Sequence, residues 1–319
     1  MTDASSASPA PTLRMSASDW ALLLLLSVLW GGSFFFNRVA LDALPPLTVG
    51  ALRVGLAAAA LLAGMAAMGA RLRLDAPTLR AYAGMGFLNN VVPFALILWA
   101  QTRLPSGVAS ILNATTPLFT VIVANWLTRD ERLTPARASG AALGFLGVAA
   151  MMGLGGAAAA RADGPAIAAC LVASLSYALS GVYGRCFRAM GVSPLSTAAG
   201  QLAASALFFA PAALLIDRPW ALPWTLHMPG ATALAAVVGL ALISTALAYL
   251  IFFRILARAG ATNILLVTFL IPPSAILLGV VFLNETLAAR HFLGMAMIGL
   301  GLAAIDGRPL AALTPSRKK

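Results

Sequence analysis

The sequence predicts an all-α polytopic membrane protein of ten transmembrane helices, folded as two inverted five-helix repeats, and three observations carry that expectation. Hydrophobic residues make up 61% of the 319 residues and charged ones only 10%, against roughly half and about a quarter in soluble domains. Apolar runs of about twenty residues, enough helix to cross about 30 Å of hydrocarbon, recur along the chain. Finally, Glu131, Leu133, Gly140 and Gly147 return as Glu285, Leu287, Gly294 and Gly301 at a constant offset of 154. A repeat with an odd number of spans must insert upside-down relative to its partner.

Taken in order, residues 1–17, rich in Ser, Ala, Pro and Thr, read as a disordered tail. Span one, 18–37, stays apolar from Trp20 to Phe36, too long for a signal-peptide core and without a clean small-x-small cleavage site. Span two, 47–69, holds Arg53, the single charge set well away from the ends of a span. Span three, 79–101, carries Tyr82, Asn89 and Asn90 and ends on Trp99, while span four, 106–127, carries Asn113, Thr115, Thr116 and Pro117. Span five, 136–156, is rich in Gly and Ala, with Gly140 and Gly144 as a small-xxx-small pair suited to close helix packing.

The second repeat follows the same order. Span six, 165–187, lines up Ser176, Tyr177, Ser180 and Tyr183 on one helical stripe. Its cysteines, Cys170 and Cys186, are separated by sixteen residues, about 24 Å of helix and far beyond disulfide reach. Spans seven and eight, 194–216 and 230–254, precede span nine, 261–283, and span ten, 288–306; a basic tail, 307–319, closes the chain. Span eight offers Ser244, Thr245 and Tyr249, and span nine offers Thr268 with Pro272 and Pro273. At the front of the halves, Trp30, Ser33 and Arg38 match Tyr177, Ser180 and Arg185 at an offset of 147, and Pro46, Leu47 and Arg53 match Pro194, Leu195 and Gln201 at 148. The halves are therefore 18–156 and 165–306.

The basic residues set the topology. With the N-terminus inside, fifteen of the 21 Lys and Arg lie on the inner side, five (Arg38, Arg103, Arg161, Arg218 and Arg290) lie on the outer, and Arg53 lies within a span. The positive-inside rule thus puts both termini in the cytoplasm. The net charge of +11 is spread over short loops without a basic, aromatic-interleaved patch, so no nucleic-acid partner is expected.

Pro117 and Pro272 interrupt apolar helices at equivalent positions, each freeing a carbonyl four residues back, at Asn113 and Thr268. Paired broken helices point to a binding site at the midplane and supply hinges, although the same prolines can serve only to shape helix packing. The polar and aromatic residues at membrane depth are the expected cavity lining: Tyr82, Asn89, Trp99, Asn113, Thr116, Tyr177, Ser180, Tyr183, Ser244, Tyr249 and Thr268. Interhelical hydrogen bonding is the plainer role for the same hydroxyls and amides. Arg53 can meet a substrate carboxylate, or it can snorkel to the outer interface or bond carbonyls near Pro45 and Pro46. Glu131 and Glu285 are expected to brace the turn before the next helix, with gating as the alternative.

No Asp or Glu lies mid-membrane, whereas proton-driven carriers need a buried carboxylate or His, so facilitative transport is expected. One Arg cannot compensate phosphates, and no buried acid awaits a cation, which leaves small neutral or zwitterionic solutes, amino acids foremost. The motifs of hydrolases, metalloenzymes and intramembrane aspartyl proteases are absent from the sequence, and no cofactor or metal is implied. A dimer interface on the Gly-rich spans is left open against a monomer.

Trp99-Ala-Gln-Thr-Arg-Leu-Pro-Ser-Gly-Val-Ala-Ser-Ile-Leu-Asn-Ala-Thr-Thr-Pro117, with Arg129-Asp-Glu-Arg-Leu-Thr134 and Gly140, resembles the signature of the drug/metabolite transporter superfamily, EamA branch. A second copy runs from Phe252 through Gly260-Ala-Thr-Asn-Ile264 and Pro272 to Asn284-Glu-Thr-Leu287 and Gly294, and Trp30-Gly31-Gly32 and Arg53 also fit. The resemblance implies a ten-span exporter of small metabolites in the bacterial inner membrane, with spans around the pseudo-symmetry axis enclosing a central cavity. It is similar to amino-acid and drug exporters, with a proton-coupled multidrug exporter or a lipid or undecaprenyl-carrier flippase as the alternatives.

Overall fold

The computed structural model describes residues 15–128, 134–152, 163–221, 229–264 and 266–306. The expected tails beyond residues 14 and 306, Glu131 and His227 lie outside the described residues. Among those residues every regular element is helical.

The first half comprises α1 (Ala17–Leu41), α2 (Pro46–Ala67), α3 (Ala76–Gly86), a π-helical segment (Phe87–Val91), α4 (Val92–Gln101), α5 (Ser106–Asn113), α6 (Thr116–Leu127) and α7 (Pro135–Met152). The second comprises α8 (Gly164–Tyr183), α9 (Arg185–Ala189), α10 (Pro194–Ala212) with a π turn at Ala213–Asp217, and α11 (Ala231–Val238). It continues with a π segment (Gly239–Leu247), α12 (Ala248–Ile264), α13 (Val267–Leu283) and α14 (Ala289–Asp306). Among the described residues, seven helical stretches are long and apolar enough to cross a membrane, and two shorter apolar helices, Val267–Leu283 and Ala289–Ile305, stand at spans nine and ten; α7 occupies span five.

Helix starts follow the local chemistry. Ser16 and Asp19 form a reciprocal capping box at α1, and Asp75, Asp163 and Ser193 cap α3, α8 and α10 by accepting from the backbone N–H three residues on. One boundary differs from expectation. Helix continues from Ala248 to Ile264, through the loop expected after residue 254. The loop before span four contains Pro105, whereas the corresponding position here is Gly260, so no missing N–H interrupts the helical hydrogen bonds.

The helices pack with two-fold logic. Span one lies on span nine (α1 on α13) as span six lies on span four (α8 on α5 and α6); spans two and seven pair as α2 and α10, and spans five and ten as α7 and α14. The last crossing depends on absent side chains. A β-carbon on Gly140 would sit 2.6 Å from the Gly301 carbonyl oxygen, and one on Gly147 would sit 2.7 Å from that of Gly294. Because Gly140 corresponds to Gly294 and Gly147 to Gly301, exchanging the halves turns each contact into the other, and the pseudo-two-fold axis passes between these helices.

Pro117 requires a correction. It lies not in the middle of a kinked helix but in the first turn of α6, after α5 has ended at Asn113 and a turn at Ala114 and Thr115 has intervened. There its missing N–H is one the helix would leave unpaired anyway. The Asn113 carbonyl is satisfied by the Thr116 hydroxyl at 2.7 Å. Pro272 and Pro273, in contrast, lie inside the continuous α13. Thr116→Val should therefore cost about 1–2 kcal/mol by orphaning that carbonyl, read as a lower unfolding temperature in detergent; an unchanged midpoint would show that another group takes its place.

Candidate functional site

A cavity of about 470 Å³ lies between the halves. Its lining is drawn from matching positions. Trp30 and Ser33 occur with Tyr177 and Ser180, and Arg53 with Gln201; at an offset of 155, Asn89 occurs with Ser244, Phe94 with Tyr249, Ile97 with Phe252 and Asn113 with Thr268. Among the described residues no Asp, Glu, Lys or His lines it.

The π segments create much of this surface. In Phe87–Val91 the Val92 N–H bonds back five residues to Phe87, and Pro93 has no N–H to offer the Leu88 carbonyl. The Ser176 hydroxyl of α8 donates to that oxygen instead, at 2.6 Å. In the matching segment of span eight, the Thr245 hydroxyl donates to the Leu240 carbonyl at 2.8 Å. Each widened turn holds the polar pair of its half, Asn89 with Asn90 and Ser244 with Thr245, in spans that are otherwise apolar.

Asn89 is the hub of a network. Its Nδ2 donates to Gln201 Oε1 and to the Tyr249 hydroxyl, both at 3.0 Å, and its Oδ1 accepts from the Ser180 hydroxyl at 3.0 Å. Asn90 Nδ2 donates to the Ser205 hydroxyl at 2.9 Å. Spans three, six, seven and eight are thereby tied at the cavity wall.

Arg53 is 6% exposed and neither snorkels nor bonds carbonyls near Pro45 and Pro46. Its Nε donates to the Thr245 hydroxyl at 3.0 Å, and its guanidinium lies 3.7 Å from the centre of the Phe94 ring. No carboxylate pairs with it among the described residues. Two lining acceptors also lack partners: Asn113 Oδ1 and Ser244 Oγ.

Of the residues expected to line the cavity, Asn89, Asn113, Thr116, Tyr177, Ser180, Ser244, Tyr249 and Thr268 do so, and so does Arg53. Tyr82, Trp99 and Tyr183 are placed elsewhere, as are Pro117 and Pro272. Tyr82 fills the niche left by Gly200, stacked on Phe187 at 5.6 Å. Trp99 is half-buried under the Arg103 guanidinium, 4.5 Å from its ring. Tyr183 packs its hydroxyl end against Gly84, 3.5 Å from the Arg80 carbonyl. Trp30, Ser33, Asn37, Phe94, Gln201, Thr245 and Phe252 add to the polar and aromatic surface; Trp30, Ser33, Phe94 and Gln201 are legible as repeat partners of Tyr177, Ser180, Tyr249 and Arg53.

The two ends of the bundle differ. Toward the end bearing Arg71, the lining reaches Phe187 and Thr197. At the end bearing Arg103, polar ties close spans one and three of the first half on each other and also join the two halves. Asn37 Nδ2 donates to Gln101 Oε1 at 2.8 Å and Gln101 Nε2 to the Phe34 carbonyl at 2.8 Å. Two acids of the second half cap helices of the first. Asp217 accepts from the Thr48 N–H and hydroxyl at 2.6 and 2.9 Å, at the start of α2.

Glu285 is delivered by Asn284, which ends α13 in the left-handed region with φ 52°. It lies along Gly279 and accepts from Ser106 N–H at 2.7 Å, from the Ser106 hydroxyl at 2.6 Å and from Gly107 N–H at 3.2 Å. It thus braces the start of α5 across the halves, not the turn before its own next helix. At the Arg71 end, Ser196, the counterpart of Thr48, bonds to its own Ser193, and the halves meet through Arg73, which donates to the Met190 carbonyl at 2.8 Å, and through Arg258 paired with Asp19 at 3.3 Å.

The model of the EamA-like transporter family matches residues 19–153 and again 164–305. Among curated proteins the chain is similar to the "Probable terminal-alkyne amino-acid exporter" of Streptantibioticus cattleyicolor, 26% identical over 96% of this chain and 100% of that one. It is also similar to the "Uncharacterized inner membrane transporter YedA" of Escherichia coli K12, 28% identical over 86% of each. The "Probable amino-acid metabolite efflux pump" of the same organism is 26% identical over 90% of this chain and 94% of that one. A solved crystal structure shares the fold, with a TM-score of 0.64 at 21% identity over 94% of this chain and 100% of that one.

Proposed function

Because the chain belongs to the EamA-like transporter family, and so is a multi-pass membrane transporter and not an enzyme, we propose that it exports small neutral or zwitterionic metabolites, amino acids foremost. The observation that carries this reading is the cavity itself: about 470 Å³, between inverted halves, with matching residues on its two sides, one cation and no acid. Two relatives named for amino-acid export support the substrate class.

Transport proceeds by alternating access across the inner membrane, the two halves exchanging roles about the pseudo-two-fold axis. Both termini are cytoplasmic, which makes the Arg71 end the inner one and the tied Arg103 end the outer one. The cycle is facilitative. A proton relay needs a group that titrates where substrate passes, and the lining offers only hydroxyls, amides, aromatics and a guanidinium that stays charged.

The experiment is flux of a radiolabelled amino-acid panel into proteoliposomes, with and without an imposed pH gradient. Selected amino acids should equilibrate, and a pH gradient should leave their final level unchanged. Accumulation against their own gradient would refute the facilitative cycle, and lipid scrambling without amino-acid flux would refute the substrate class.

A further inference from the structure

We propose that Arg53 is the carboxylate-docking residue of the cavity, and that the substrate is therefore an α-amino acid with an apolar side chain. This deepens the exporter reading and rests on it for the site, though not for the chemistry of the ligand.

Arg53 carries a charge that no carboxylate among the described residues neutralises. Arg53 is 6% exposed, and a guanidinium cannot shed its proton to escape burial. Unpaired ions at such depth are costly and ordinarily find a counter-ion. This one has a hydroxyl partner and an aromatic face, Thr245 and Phe94, which fix its orientation without neutralising it. Those contacts use Nε and the ring plane. Among the described residues the Nη1 and Nη2 groups make no hydrogen bond, so two parallel donors of the guanidinium fork are free. That fork matches a carboxylate bidentately.

The rest of the lining fits the remainder of an amino acid. Asn113 Oδ1 and Ser244 Oγ are buried without partners, acceptors for the three N–H bonds of an α-ammonium group. Trp30 and Phe252, with ring centres 5.6 Å apart, form an apolar wall for a side chain. With no acid in the lining, a purely cationic solute finds nothing to pair with. A dianion exceeds what one Arg can compensate.

The test compares L-leucine with L-leucinamide, which keeps the ammonium and the side chain but lacks the carboxylate. Binding is read by thermal stabilisation of the purified protein, and flux by proteoliposome uptake. Wild type should prefer leucine at least 10-fold. Arg53→Gln should weaken leucine at least 30-fold and leave leucinamide within about 2-fold, erasing the preference; Arg53→Lys should restore part of it. Equal loss of both ligands in Arg53→Gln, or retention of the leucine preference in that variant, overturns the assignment. If Arg53→Gln does not fold, an equal wild-type response to leucine and leucinamide overturns it instead. Arg53-dependent stabilisation by leucine without flux leaves the docking site standing and removes the exporter reading. Neither stabilisation nor flux with leucine removes both.

Discussion

Gly301→Leu is expected to remove a large share of the protein's stability, through a collision that neither helix can relieve. A β-carbon there would lie 2.4 Å from the Gly140 carbonyl oxygen and 2.9 Å from the Gly144 nitrogen. All the opposing atoms are backbone, so α7 and α14 must separate, and every contact along their shared crossing is lost with them. In a bilayer such contacts are the main source of association, because lipid tails compete equally for apolar side chains. The penalty is about 3 kcal/mol or more, at the upper end for overpacking, from a total of about 5–15 kcal/mol for ordinary domains. Gly299→Leu is the control: nothing lies within 4 Å of a β-carbon at that position. Fluorescence size-exclusion profiles should show a folded peak for Gly299→Leu and an aggregated one for Gly301→Leu. A folded peak of normal thermal stability for Gly301→Leu would refute the close crossing.

Glu285→Ala should open the Arg103 end. It removes three hydrogen bonds that join the halves, one of them to a hydroxyl and two to N–H groups at the positive start of α5. Caps of this kind contribute about 0.5–2 kcal/mol, and charge on the acceptor favours the upper part of that range. About 1.4 kcal/mol shifts a two-state equilibrium tenfold. In a background with Cys170 and Cys186 replaced, a cysteine at Ile97 should then react about 10-fold faster with an impermeant maleimide added from that side. Glu285→Gln should fall between alanine and wild type. An unchanged labelling rate would make the carboxylate a static cap with no part in access.

The ten spans were legible because hydrocarbon thickness imposes a length on each and water imposes polar breaks between them. The site was legible in part. Asn89, Tyr177, Ser180 and Tyr249 stand out as polar or amphipathic groups in apolar helices, and they do face the cavity. Tyr82 and Tyr183 look the same in sequence, yet each is drawn into a niche opposite a glycine of a neighbouring helix, Gly200 and Gly84. Which neighbour a helix face meets is decided by packing. Pro117 misled because a proline four residues after Asn113 reads alike as a kink or as the first turn of a new helix. Gln201 is unremarkable alone, and is legible only as the counterpart of Arg53 in the repeat.

The widened turns in spans three and eight also constrain how genes for such proteins can change. A π turn accommodates one residue more than the α-helical turn it replaces, so removing a single codon there would still encode an unbroken helix. Because the extra residue is absorbed within the turn, residues beyond it, Phe94 or Tyr249 among them, would keep nearly their angular position, whereas a deletion in the regular helix on either side would rotate everything beyond it by about 100°. Length between flanking loops is thus constrained twice over, once in each copy, by a demand on angular register that a single-residue change can meet only at the widened turns or the helix ends.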